Sequence, residues 1–151
     1  MPGYKEHLTG GAATAGGSLL IACLALPVAL KPNLPEGLAL FSICVLMSLF
    51  PDVDTDSKGQ RWFYSILVVV DLALMWFGKY HWAAILGLVA MFPALDHHRG
   101  WTHTWWAMLL VPLPIILFPV FFLAMDWQPM VPYYVAAVLG YFSHLFLDKA
   151  F

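Results

Sequence analysis

The stretch MVPYYVAAVLGYFSHLFLD, residues 130–148, decides how this chain is to be read. Residues 130–147 form one apolar run, close to the ~20 residues that carry an α-helix across the hydrocarbon core of a bilayer. Yet the run closes on His144, and Asp148 follows four residues later. On a helix that spacing puts both side chains on one face, one turn apart, where they can share a metal ion or hold two adjacent ones. A membrane helix with ligand-type side chains at its end implies a polar site at the bilayer edge.

The composition agrees with a bilayer as solvent. The chain is 62% hydrophobic and 11% charged, with mean hydropathy +0.78, whereas soluble domains carry about 25% charged residues. The 151 residues fit a single membrane domain, 1–151, with no soluble domain, repeat or low-complexity linker. A net charge of −2 leaves no footprint for nucleic acid. Cys23 and Cys44 fall inside apolar runs and read as small buried hydrophobes without a disulfide framework. The start, MPGYKEHLTGG, is not a secretory signal, because Glu6 and His7 precede the first apolar run and no cleavage site follows.

Six apolar runs are candidate spans: 11–30, 37–50, 62–77, 82–95, 105–125 and 130–147. The first stops at KPNLPEG, whose prolines and Asn33 predict a turn. Pro112, Pro114 and Pro119 should kink the fifth. Tryptophans cluster near the proposed ends, as interfacial aromatics do. Nothing has the period of a barrel strand. The expected fold is an all-α polytopic membrane helix bundle of about six hydrophobic helices.

Alternating these spans across the bilayer brings every polar cluster to one face. His7 begins there, and PDVDTD, DHHRGWTHT and SHLFLD each return there. That face holds Lys5, Lys58, Arg61, Arg99 and Lys149, against Lys31 and Lys79 on the other. The positive-inside rule makes it cytoplasmic, with both termini on that side.

Imidazole and carboxylate are the ligands that zinc, manganese and iron accept. Beside the His144/Asp148 pair, Asp52 and Asp54 are two apart after Pro51, so an extended segment turns both to one side. His98 and His103 flank a glycine-containing loop and converge if it folds back. With His7, these pairs could enclose one or two ions. Plainer readings compete. Asp54, Asp56 or Ser57 could simply cap the third helix, and Asp96 could cap or orient a neighbour. His97 and His98 are adjacent and cannot easily point the same way. His81, on the opposite face, reads as a headgroup contact. Asp71 lies mid-span, where a carboxyl group faces a partner helix or a cavity.

In order, EHLTGG, LFPDVDTDSKGQ, HRGWTHT and GYFSHLFLD resemble the motifs of the YdjM-like family of membrane-bound metal-dependent hydrolases. That family is distantly similar to zinc-dependent phospholipase C. The resemblance spans nearly the whole chain. It implies a bacterial inner-membrane protein with His7, Asp52, Asp54, His98, His103, His144 and Asp148 as metal ligands or their close neighbours. Arg99 and Thr102 match motif positions suited to touching substrate or steadying a ligand. Thr55 and the extra His97 depart from the family pattern. Family members usually continue past the position of Phe151, which bears on substrate closure.

The expected function is that of a metal-dependent hydrolase at the cytoplasmic membrane face, with one or two divalent ions, zinc before manganese. Asp54 or His97 would serve as the base that takes a proton from water. Arg99 suits a phosphate or carboxylate oxygen, because its planar fork binds bidentately. A site at headgroup depth suggests a phosphoester or other ester of a lipid-like substrate. The alternative is a non-catalytic subunit of a larger membrane complex that keeps a structural metal or none. Haem ligation and ion transport find less support, since only His144 lies well inside a span and Asp71 stands alone at mid-depth.

Overall fold

A computed structural model describes residues 3–54, 58–80, 83, 84, 86, 87 and 101–149, and these residues are helical apart from short connections. The helices that lie wholly within the described residues are α1 (Tyr4–Ala25), α2 (Leu34–Met47), α3 (Lys58–Trp76), α4 (Trp105–Leu110), α5 (Pro114–Leu123) and α6 (Val131–Leu147). Short 3-10 turns occupy Val28–Leu30, Phe50–Asp54, Trp101–His103 and Gln128–Met130.

Local chemistry sets these boundaries. The Glu6 carboxylate accepts the Gly3 N–H at the start of α1. The helix ends at Leu26, ahead of Pro27, whose ring disfavours helical geometry in the residue before it. KPNLPEG makes a tight connection in which Asn33 caps α2. Asn33 Oδ1 accepts from the Glu36 N–H at 2.9 Å, and Glu36 Oε2 accepts from the Asn33 N–H at 3.0 Å. That reciprocal pair satisfies two backbone donors that a helix start leaves open. Thr104 caps α4 through its hydroxyl oxygen. Where a kink was expected in the fifth apolar run, a turn at 111–113 separates α4 from α5, and Pro119 sits inside α5, which continues through it.

Among the described residues, four helical segments are long and apolar enough to cross a membrane: Tyr4–Ala25, Leu34–Asp52 (α2 with the turn after it), Trp105–Leu123 (α4 and α5 together) and Gln128–Leu147. The expectation of about six is therefore corrected. The run 62–77 belongs to a helix that starts at Lys58 and carries Gln60, Arg61 and Asp71, and these polar residues keep it out of the set. The run 82–95 lies mostly outside the described residues.

The core is a triangle of α1, α2 and α6, each packed on the other two. Helix α6 buries Ala136, Ala137, Gly140, Tyr141, Ser143, His144 and Leu145, a stripe at helical spacing. Lipid is as apolar as leucine, so such helices associate through close packing and hydrogen bonds, and small residues at the contact let backbones approach. A β-carbon on Gly140 would stand 2.0 Å from the Cys44 carbonyl oxygen, and one on Gly11 would stand 2.1 Å from Ser48 Oγ. Large apolar side chains instead point outward: Leu24, Val28, Leu34, Trp76 and Phe121 are each at least 75% exposed. Cys44 is buried in the triangle, but Cys23 is exposed, which corrects its expected burial. Asp71 lines a small cavity with Tyr64, Leu67, Val68, Leu86 and Gly87.

Candidate metal centre

The ends of the helices bring the site together. His7 lies in the second turn of α1, Asp52 in the turn after α2, His103 just before α4, and His144 and Asp148 at the end of α6. Helices α1 and α2 run out and back, as do α4–α5 and α6, so residues more than 130 positions apart meet at one end.

The contacts are close. His144 Nε2 lies 3.6 Å from Asp52 Oδ1 and 3.4 Å from Asp148 Oδ2. His103 Nε2 lies 3.7 Å and 3.5 Å from the same two oxygens. One ligand atom from each of Asp52, His103, His144 and Asp148 can be chosen so that all lie within 4.8 Å of one another, a group that could hold a metal ion. Ligands about 2.0–2.2 Å from a tetrahedral ion stand about 3.3–3.6 Å apart, near the spacings found here.

The donor chemistry fits a metal. His144 is fully buried, and its Nε2 finds no hydrogen-bond partner among the described residues. Leaving such an atom unpaired is costly, and a cation among the two carboxylates and two imidazoles would satisfy it. The opposite nitrogen explains its orientation. His144 Nδ1 lies 2.8 Å from the Ser48 carbonyl oxygen, which can only accept, so Nδ1 donates and Nε2 presents its lone pair to the carboxylates.

The other side chains are held by similar means. His103 Nδ1 is 3.2 Å from the hydroxyl of Thr102, which is wholly buried, and the Tyr141 hydroxyl donates to the Thr102 carbonyl. Ser48 Oγ donates to the Val45 carbonyl at 2.7 Å and lies 3.1 Å from that of His7, tying α2 to α1. The His7 ring stacks on His144 with centroids 3.8 Å apart, and its Nε2 lies 3.3 Å from Asp148 Oδ1 and 3.9 Å from Asp52 Oδ2.

Of the residues singled out in the sequence, the structure thus assembles His7, Asp52, His103, His144 and Asp148, with Thr102 behind His103. Asp54 closes the turn after α2, and its side chain is outside the described set. Asp56, Ser57, His81, Asp96, His97, His98 and Arg99 lie outside the described residues. Sequence reasoning missed the supports: the Ser48 carbonyl, Tyr141 and the glycine contacts. One signal for them was present, since Ala136 and Gly140 form a small-x-x-x-small pair one turn before His144.

The family model described as YdjM inner membrane protein matches residues 1–150. No curated protein and no solved structure matches the chain.

Proposed function

The chain belongs to the YdjM inner membrane protein family, and from that premise we propose that it is a metal-dependent hydrolase acting on a phosphoester or other ester of a lipid-like substrate at the cytoplasmic membrane face. One observation carries the proposal: a fully buried imidazole nitrogen, His144 Nε2, without a hydrogen-bond partner among the described residues, faces two carboxylates and a second imidazole.

Asp52, His103, His144 and Asp148 would hold the ion, zinc before manganese by ligand type. When bound, a divalent ion polarises an ester oxygen and lowers the pKa of water towards about 7. The chain supplies the rest. The Ser48 carbonyl keeps the Nδ1 proton of His144, so Nε2 stays a donor of electrons. Thr102 steadies His103. Arg99, two residues before Trp101, binds a phosphate oxygen pair through its guanidinium fork. The Asp54 carboxylate or a His97 ring nitrogen takes the proton from the attacking water. His98 adds a further imidazole for an ion. The excess of Lys and Arg near the site end supports a cytoplasmic orientation with both termini inside.

A second reading rests on the same four residues. Structural zinc sites are closed by four protein ligands, whereas catalytic ones keep a position open, so this set also suits a non-catalytic subunit of a membrane complex. Hydrolysis separates the two. Metal-loaded protein in mixed micelles should release the water-soluble part of a lipid phosphoester, and Asp148→Asn should abolish release. Metal-loaded protein inert across lipid phosphoesters and carboxyl esters would favour the structural reading.

A further inference from the structure

The four-residue group uses only half of the carboxylate oxygens. Asp52 turns Oδ1 towards His103 and His144, and Oδ2 towards His7. Asp148 divides itself in the same way, with Oδ2 towards His103 and His144 and Oδ1 towards His7. Both carboxylates therefore stand between two sets of imidazoles. His7 is 1% exposed, and its Nδ1 has no hydrogen-bond partner among the described residues.

The stacking of His7 on His144 decides how many ions this arrangement suits. The ring planes are 16° apart with centroids 3.8 Å apart, and both Nε2 atoms face the same two carboxylates. An imidazole binds a metal along the in-plane lone pair of its nitrogen. Nearly parallel rings send those lone pairs side by side, so they do not meet at one ion. Their separation instead resembles the spacing of paired ions in two-metal sites, about 3.5–4 Å.

We propose a second divalent-cation position formed by His7 Nε2, Asp52 Oδ2 and Asp148 Oδ1, with both carboxylates bridging to the position held by Asp52, His103, His144 and Asp148. This deepens the metal-centre reading and rests on it. The two positions are unequal. His144 is anchored from behind by the Ser48 carbonyl, and among the described residues His7 has no such anchor. Losing an outer partner of that kind costs about 10–100-fold in metal affinity, so the His7 position binds more weakly by about that factor. Its three described protein donors leave room for a substrate oxygen, the openness that a closed four-ligand site lacks.

The test uses the purified full chain in detergent, titrated with Mn²⁺, with bound ions counted by elemental analysis and their coupling read by electron paramagnetic resonance. Two ions per chain are expected, the second about 10–100-fold weaker, with the spectrum of an exchange-coupled pair. His7→Gln should hold one ion with an uncoupled signal. If that variant fails to fold, the wild-type spectrum carries the test alone. One uncoupled ion in the wild type would overturn the second position and leave the first intact, with His7 a hydrogen-bond donor to Asp148. Two coupled ions in folded His7→Gln would also overturn it. A wild type that binds no ion would overturn the metal-centre reading itself.

Discussion

At one end of the α1–α2–α6 triangle the buried groups are His7, Gly11, Ser48, Ser143 and His144. At the other end Leu26, Leu30 and Leu34 are exposed, and cavities of about 380 and 450 Å³ lie among the helix ends. A soluble protein would show the reverse preference, with leucines inside and histidines at the rim. In a bilayer, leucine gains nothing by turning inward, so cohesion concentrates where backbones touch and polar groups bond. The end that gathers the ligands is therefore also the end that holds the bundle together.

That contrast can be broken by substitution. Gly140→Ala has the largest expected effect on stability. The added methyl would meet the backbone carbonyl of Cys44, which cannot swing aside as a side chain would. Overpacking of this kind costs about 1–3 kcal/mol, occasionally more. Unfolding in detergent should show that loss, whereas Gly16→Ala, with nothing within 4 Å of the new methyl, should be neutral or slightly stabilising. Equal effects at the two glycines would erase the difference between a tight backbone contact and an open helix face.

A subtler change separates anchoring from packing. Tyr141→Phe removes the hydroxyl that bonds the Thr102 carbonyl and keeps the ring. Loss of one hydrogen bond of this kind costs about 0.5–1.5 kcal/mol. Because Thr102 steadies His103, metal affinity should also fall by about tenfold, the lower bound for an outer support. Titration calorimetry on the folded variant checks this, and unchanged affinity would show that His103 holds its place without that support.

The smallest effect belongs to the far end. Asn33→Ala removes the cap of α2 and should cost about 1 kcal/mol. Metal binding should be unaltered, because the capped turn lies at the opposite end of α2 from Asp52. A shift in metal affinity here would mean that the two ends are coupled along the helix.

Much of the site was legible because it is written in short-range spacing. His144 and Asp148 share a helix face by arithmetic, and the alternation of apolar runs sends His7, Asp52 and His103 to their end of the bundle. The proline break between α4 and α5 was legible for the same reason, since it depends on a missing N–H in one place. What was hidden is long-range. Nothing around Ser48 announces that its carbonyl anchors an imidazole 96 residues away, and Tyr141 looks like any apolar aromatic until Thr102 lies beneath its hydroxyl. The helix count erred because the run 62–77 was measured without the lysine, glutamine and arginine that its helix includes.

The central claim, that the buried end is a metal centre, is tested most directly by elemental analysis of the purified protein beside the Asp52→Ala/His144→Ala variant, both confirmed folded by helical circular dichroism. Wild type should carry at least one equivalent of zinc or manganese per chain, and the variant none. A folded wild type that holds no divalent metal after reconstitution would contradict the account, as would a variant that holds as much metal as the wild type.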